Sequence, residues 1–569
     1  MTTIMKKKLF FVFALAAVLV SCSDAVYEEI NTDPTKADRV NPTSQLTYAE
    51  LQIFGDMNYV DVHRLYCYAF TQHLMGCWNT TNYGGLHHAD DNEMARPWNN
   101  LYPGAIRNLT DAIEQTKSDP AKANMNAALR IFRVYVGSLL TDFYGDVPFT
   151  EAGMGYINGN FQPKYDTQED LYKYFFTELK EASALFNANA EGILSDPMFN
   201  GNIEKWKIFA NSLRLRYAMR ISDVLPDLAK QEFVAALNDP AGVMVSSADD
   251  ACVQHMAVSY SFGQEAYRDF RGNAMAKYFY GNDPAKNPTY ICETFWKQLY
   301  DNQDPRATRI CRFYIDDYMT LSTGDGRYDV TDAVISTQAA YPSDEIIQTI
   351  APGFYWYDIW PSYTDRPGSD MAKVVAEVQT AHSDYNPGGN PHWVCPKLAN
   401  NFLKSDNPGV IMTYAEVCFL RAEAAMLGWT GDNAKQFYES GIRAAMDFLA
   451  DKYGCSVVTD AEYAAYIAQP AIAFGASAAQ QKAQINTQAW ILHFHNPAEA
   501  WANRRRSDFP ALNPPTGTKY PLIDGDGTIP VRLCYPVKEE TYSKEAYQEA
   551  KNRVTGGYSW NARLWWDVK

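Results

Sequence analysis

Apolar residues returning at helical spacing, in paired runs joined by short turns, are what most constrains this chain. The pattern covers Thr43–Met75, two segments of 104–142 split at Ser118-Asp119-Pro120, Lys164–Asn187 and residues 203–222, the last reading as a strongly amphipathic helix. A helix with one apolar stripe must bury it, and a short connection leaves its sequence neighbour as the partner. In Lys164–Asn187, Thr167 is placed to cap the helix and Glu169 and Asp170 fall in its first turn. Leu171, Tyr174, Phe175 and Leu179 share one face. Helical periodicity resumes at Ile411–Trp429, Asn433–Tyr453 and Asn486–Arg506. Between about 240 and 408 the texture changes to short pieces rich in Gly, Pro, Asp and Tyr, with one helical run near 291–300. The expected fold is therefore mostly α. Helical pairs of tetratricopeptide-like type, about 43–235 and 410–569, flank a large irregular, loop-rich insertion, about 240–408. Residues 43–569 are expected to form one domain. No strict 34-residue repeat runs through the pairs.

The first residues follow a different logic. Lys6, Lys7 and Lys8 precede the twelve apolar residues Leu9–Val20, and Ser21 and Cys22 follow. Such a run in a helix covers about 18 Å, short of the roughly 30 Å of a bilayer core. Charge, apolar core, small residue and cysteine in that order predict a signal peptide over 1–21 of lipoprotein type. Cys22 is then the lipid-carrying first residue of the mature chain. Residues 22–42, through SDAVYEEINTDP, read as a flexible, acidic tether.

Composition narrows the partners. The formal charge is -17, and it grows more negative once the three signal lysines leave, since no acid leaves with them. Such a surface repels nucleic acid. Ten cysteines are scattered with no CxxC pair, so neither a disulfide scaffold nor a zinc site is expected, and most read as small buried hydrophobes.

The chain has 38 Tyr, 28 Phe and 13 Trp, many of them in Gly, Asn and Pro contexts rather than in helical patterns. Sugar rings stack apolar C–H faces on Trp or Tyr, and their hydroxyls need amide or charged partners at the rim. Three clusters offer both. Trp78, Asn79 and Tyr83 lie in CWNTTNYGG, Trp98 lies in ARPWNN, and Tyr355, Trp356 and Trp360 lie in GFYWYDIWPSY. These seven residues are the expected ligand contacts. Packing competes with that role at each of them.

Other motifs have plainer readings. His87-His88-Ala89-Asp90-Asp91 lacks a third spaced histidine, and Asp524-Gly525-Asp526-Gly527 starts like a calcium loop but no acid completes it. His493 and His495, two apart in a helical run, point to different faces. No metal and no cofactor is expected. Arg214, Arg216, Arg504, Arg505 and Arg506, with Glu416 and Glu423 on a facing element, read as charge pairing between helices. Asp142, Tyr144, Gly145, Asp146 and Pro148 read as a helix ending in a Gly turn, its carboxylates bonding nearby backbone amides.

Eight strings, in order along the chain, resemble the SusD/RagB family of nutrient-binding outer-membrane lipoproteins. They are NTDP (31–34), DFYGDVPFTEA (142–152), YDTQEDLYKYFFTELKEA (165–182), KWKIFANSLRLRYAMRIS (205–222), QDPRATRICRFY (303–314), MTYAEVCFLRAEAAMLGW (412–429), WILHFHNPAEAWANRRRSDFPAL (490–512) and IPVRLCYPVKEETYSKEAYQEA (529–550), closed by LWWD (564–567). YGDVPFTEA and EAWANRRR are most similar to the SusD-like branch. The resemblance implies a non-catalytic surface lipoprotein that captures an oligosaccharide, or in some relatives a peptide, with the irregular insertion forming the ligand-binding face. It would deliver this ligand to a SusC-like TonB-dependent transporter in the outer membrane of a Gram-negative bacterium. Asp24, Glu28 and Glu29 resemble the surface-export signal of such lipoproteins. A peptide-capturing protein of the same architecture is the first alternative. A surface glycosidase is the second, and it would need two carboxylates flanking a cleft, which the sequence offers no means to pick. No GxSxG elbow, P-loop or HExxH supports other chemistry.

Overall fold

The computed structural model describes residues 40–76, 81–258, 269–280, 289–316, 327–329, 331–332, 395–513 and 522–568. Cys22 and most of the aromatic clusters, namely Trp78, Asn79, Tyr355, Trp356 and Trp360, lie outside the described residues. The chain divides into two compact units, 1–41 and Pro42–Lys569, and the second holds every helix and strand named below. No helix among the described residues is long and apolar enough to cross a membrane.

The second unit is a succession of packed helices. α1 (Pro42–Gly55) and α2 (Met57–Val62) lead into α3 (Arg107–Thr116), α4 (Ala123–Tyr144), α5 (Gln168–Leu185), α6 (Ile203–Arg220) and α7 (Pro226–Leu237). After the insertion, which contains α8 (Glu293–Tyr300), come α9 (Tyr414–Met426), α10 (Ala434–Tyr453), α11 (Ala478–Leu492), α12 (Pro497–Ser507) and α13 (Lys544–Asn552). α1 packs on α3, α3 on α4, α4 on α5, α5 on α6 and α6 on α7, while α9 packs on α10 and α11. These are the expected helical pairs. Local signals set their ends: Thr167 accepts from the Asp170 amide, Asn433 accepts from the Gln436 amide, and Gly454 closes α10 in the left-handed region at φ 65°.

Two helices differ from the sequence reading. α6 is not amphipathic: every residue from Phe209 to Arg220 is buried, arginines included. The reason is charge neutralisation between helices. Arg214 pairs with Glu232 of α7 at 3.0 Å, Arg216 with Glu416 of α9 at 2.6 Å and Arg220 with Glu499 of α12 at 2.7 Å, so α6 is the central post of the bundle. Arg506 likewise pairs with Glu423 at 2.7 Å. Arg505 departs from the expected pairing. It donates to the carbonyls of Asp142 and Val531, each at 2.7 Å, and lies over the Trp501 ring, and burial lowers its pKa to about 10. Arg504 sits in the fields of Asp508 and Asp567.

The run Asn486–Arg506 is two helices rather than one. A 3₁₀ turn at His493–His495 separates α11 from α12, the Asn496 side chain caps α12, and Pro497 opens it. His493 and His495 are therefore buried turn residues, packed against Glu416 and Phe448 respectively.

α4 is buried almost all round, as a central helix must be. Gly145 follows it at φ 91°, and Asp146 accepts from the Gln168 amide at the start of α5, as read from the sequence. Asp142 differs, since its Oδ1 accepts from the Tyr172 hydroxyl and the Trp566 indole rather than from backbone. Six of the seven described free cysteines are buried, and Cys534 is half-buried.

Short ladders stitch the insertion to the helices. β2 (Ala251–Val253) pairs antiparallel with β7 (Gly409–Met412), Val253 opposite Gly409, and so joins the segment's entry to its exit. β1 (Leu74–Gly76), which precedes the insertion by far in sequence, pairs with β3 (Thr289–Ile291) inside it, and β4 (Cys311–Asp316) lies between β5 (Arg327–Asp329) and β6 (Cys395–Leu398).

Candidate functional site

The strand registers bring together the chain ends from which the aromatic segments depart. Gly76 stands opposite Thr289, so the chain leaves for 77–80 and arrives from 281–288 at one end of the β1–β3 ladder. Asp316 stands opposite Arg327, and Tyr314 opposite Cys395, so both ends of 317–326 and the returning end of 333–394 join the same end of the three-stranded sheet. β3 also packs on β6. Trp78 and Asn79 belong to the first pair of connections and Tyr355, Trp356 and Trp360 to the second.

Tyr83 is the expected contact that the structure places beside these connections. It sits in the turn Thr81–Gly85, half-buried, with its ring 6.1 Å from Tyr66 and 5.6 Å from His88. The turn lies hard against the preceding helices, because a Cβ on Gly84 would come 2.5 Å from the Leu65 carbonyl oxygen. Only glycine fits so close a backbone approach. The Tyr66 hydroxyl donates to the His88 carbonyl at 3.0 Å and fixes the turn's far side.

Next to Tyr83 runs a ladder of alternating charge. Arg64 donates to Asp61 at 2.7 Å, Asp61 pairs with Arg96 at 3.2 Å, and Arg96 pairs with Glu93. Arg64 also lies over the Tyr278 ring at 5.1 Å, and Tyr278 donates to the Met57 carbonyl. Burial raises the Tyr83 pKa, with Glu93 and Asp90 adding to the rise and Arg96 and Arg64 opposing it, so this hydroxyl stays protonated. The ladder thus surrounds an aromatic ring with charged partners. Sequence reading missed it, although Asp61 and Arg64 are three apart on a helical run, which is the spacing of a surface pair. The hollow among Arg64, Leu74, Gly76, Tyr278 and Thr289 holds only about 10 Å³, room for a water and not for a sugar ring.

The Asp-Gly stretch 524–527 docks on the same region. Ile523 and Asp524 amides donate to the carbonyls of Leu86 and His87, and Asp524 Oδ2 accepts from the Ala89 amide at 2.8 Å. His88 Nδ1 lies 3.5 Å from Asp524 and its Nε2 3.8 Å from Asp90. Asp524 is therefore a turn residue bonded to backbone. Among the described residues no group of three His, Cys, Asp or Glu side chains is arranged to hold a metal.

Trp98 is elsewhere. It is 6% exposed, with the rings of Tyr102, Tyr144, Tyr165 and Tyr535 at 4.7, 5.4, 5.7 and 5.9 Å. Its faces are occupied by protein, which leaves none for a ligand ring. The signal was present: Pro97 opens a helix, and Trp98, Leu101 and Tyr102 then fall three and four apart on its inner face.

The structure is thus a bundle of helical pairs with a strand-stitched insertion that bears aromatic and charged side chains. The profile of the SusD-like family, described as starch-binding associating with outer membrane, matches residues 34–358 and 372–536, and the chain belongs to that family. Its role at family level is nutrient binding at the outer membrane.

Solved structures agree. A Bacteroidetes SusD-like protein, AC2a, is 74% identical with a TM-score of 0.87, over 93% of this chain and 100% of its own. A chitin-binding protein is 30% identical with a TM-score of 0.71, over 93% and 100%. A SusD homologue from Bacteroides uniformis, 22% identical with a TM-score of 0.67 over 94% and 100%, shares the fold. No curated protein sequence matches the chain.

Proposed function

We propose that this protein captures an extracellular oligosaccharide on the face where residues 77–90 meet the insertion, and passes it to a SusC-like TonB-dependent transporter. The lipid on Cys22 would hold it to the outer membrane, facing outward. One observation supports the reading: β1, where the chain enters the first aromatic stretch, packs on the turn that bears Tyr83, and its partner β3 packs on β6, where the chain returns from the second. Family membership, with its starch-binding description, and the relative named for chitin binding favour a glycan over a peptide. Trp78, Tyr83, Tyr355, Trp356 and Trp360 would supply ring faces, with Asn79 and Arg96 at the rim. Trp98 would act indirectly, by holding the tyrosine cluster. The protein does no chemistry on the ligand.

Affinity gel electrophoresis and calorimetry against starch, chitin oligomers and a peptide panel test this. Retention by a glycan, weakened in Trp78→Ala, Tyr83→Ala and Trp356→Ala, is expected. Binding confined to peptides would replace the glycan, and reducing sugar released by pure protein would refute the non-catalytic role. Loss of the membrane-bound fraction in Cys22→Ala checks the anchor, and co-purification with a transporter checks the partner.

A further inference from the structure

Glu50, in the middle of α1, is fully buried at 0% exposure, and neither of its oxygens receives an N–H or O–H among the described residues. Its neighbour is another acid. Asp196, 5% exposed, lies within side-chain hydrogen-bonding reach of it, in the turn 195–201. Four N–H groups already aim at Asp196: the Met198 and Phe199 amides donate to Oδ1 at 2.8 and 2.9 Å, and the Gly201 amide and Trp206 indole donate to Oδ2 at 3.0 and 2.8 Å. That many donors suit a carboxylate, which only accepts. Two ionised carboxylates side by side in a dry interior are too costly, so the pair must hold a proton, and the acid that no donor reaches must carry it. As a carboxylic acid, Glu50 has an O–H to give to Asp196.

Other ionisable groups on the elements packed against α1 are engaged elsewhere. Asp111 of α3 accepts from Gln45 and Gln115, Arg107 acts on Tyr48, and Asp61 of α2 pairs with Arg64. Arg133 of α4 donates to Thr110 and to the Phe149 carbonyl, Tyr102 donates to the Pro148 carbonyl, and Cys252 of β2 lies in the fields of Asp250 and Lys452. Asp196 is the charged group that acts on Glu50. Burial first, then the charge of Asp196 and the hydrogen bond to it, raise the Glu50 pKa well above its ordinary 4.5.

The pair sits where the first helix meets the chain entering the insertion. Thr47 donates to the Ser195 carbonyl at 2.5 Å, the Gln254 amide to the Pro197 carbonyl at 2.9 Å and the Ala274 amide to the Phe54 carbonyl at 2.8 Å. Ser195 and Asn200 both have φ 52°, a conformation that side chains disfavour and that the bonds to Asp196 hold in place. We propose that Glu50 and Asp196 share one proton and form a pH-operated latch between α1 and the turn 195–201. Closed, it fastens the first helix beside the entry to the insertion. When solvent takes the proton, two buried carboxylates repel each other and α1 loosens from the turn.

Urea unfolding of the mature chain and of Glu50→Gln between pH 5 and pH 8 tests it, since Gln keeps an N–H donor for Asp196 and cannot ionise. Above pH 4.5 the unfolded wild type releases the Glu50 proton that the folded chain keeps, so wild-type stability falls as pH rises until pH passes the folded pKa. Relative to the variant, the unfolding equilibrium of wild type should shift about tenfold toward the unfolded state for each pH unit. Hydrogen exchange of the α1 amides and of Gln254, corrected for its intrinsic pH dependence, should speed up with it in wild type and not in the variant. A ratio that stays flat across this range, or loosening confined to amides outside α1 and the turn, would overturn the latch. If Glu50→Gln does not fold, infrared spectra of wild type carrying isotope-labelled glutamate decide. A protonated glutamate carbonyl band at pH 7 is expected, and its absence refutes the shared proton.

Discussion

Arg216 offers the sharpest test of how the bundle is held. Its Nε and Nη2 donate to the two oxygens of Glu416 at 2.6 and 2.7 Å, and Nη2 also donates to the Ile411 carbonyl at 2.7 Å. Glu499 lies 3.6 Å away and is shared with Arg220, and His493 Nε2 is 3.3 Å from Glu416. Arg216→Met strands Glu416 in the interior and leaves the Ile411 carbonyl with its Asn496 bond. Breaking one side of a buried pair costs about 3–5 kcal/mol, a large fraction of the roughly 5–15 kcal/mol that holds a domain folded. Replacing both partners in Arg216→Met/Glu416→Leu removes the orphaned charge, so the double variant should lose less than about 2 kcal/mol. Burial alone would raise the Glu416 pKa, but Arg216 and His493 hold it down to about 2, below its ordinary 4.5. Its contribution is therefore complete above about 4.5 and is lost as pH falls through about 2. In Arg216→Met the carboxylate protonates readily, so the gap between wild type and variant should narrow below pH 4.5. Urea unfolding followed by circular dichroism at pH 7 and pH 3.5 measures all of this. A single substitution costing under about 1 kcal/mol, or a double equal to the sum of its singles, would refute the reasoning.

Burial holds His63, His73 and His495 at about 3 and His87 and His255 at about 4, against an ordinary 6.5. The unfolded chain binds protons there that the folded chain refuses, so stability is complete above pH 6.5 and falls as pH drops toward 4. Asp250, raised to about 7 by burial, pulls the other way; calorimetric unfolding at pH 5.5 in buffers of different ionisation enthalpy should show net proton uptake, and net release would contradict it. Trp98→Ala should cost about 3–5 kcal/mol of stability, whereas Tyr83→Ala should leave the thermal midpoint near wild type and lower glycan retention. Equal stability losses in the two would undo their assignment to core and rim. Gly137→Ala drives a Cβ into the Phe149 ring and should destabilise by about 1–3 kcal/mol, read from the urea midpoint, and an unchanged midpoint would show that this ring yields freely.

Helix existence and pairing were legible because the information is local. Thr167 and Asn433 sit one residue before their runs, and the carboxylates of Glu169 and Asp170 follow in the first turn. The break at 493–496 was legible too, in Asn496-Pro497, but Trp490, Ile491, Phe494, Ala498 and Trp501 keep helical spacing across it and outweighed that signal. The strands were not. β2 and β7 are three and four residues long and more than 150 residues apart, and no local pattern says that one closes on the other. The same distance hides the site. Tyr83, Arg96 and Tyr278 come from three stretches of chain.

α6 shows why patterning misreads some central elements. Hydropathy counts Arg214, Arg216 and Arg220 as a solvent face, and by that count the helix belongs at the surface. Arg216 and Arg220, four apart, address α9 and α12, while Arg214 addresses α7. Each guanidinium meets a carboxylate at hydrogen-bond distance and so enters the interior as half of a neutral unit. The quantity that decides burial is the charge left after pairing, and pairing is a property of the neighbour. The arginine-rich strings KIFANSLRLRYAMR and EAWANRRR, which alone look like surface helices, thus both enter the interior through ion pairs: Arg216 and Arg220 reach Glu416 and Glu499, and Arg506 reaches Glu423.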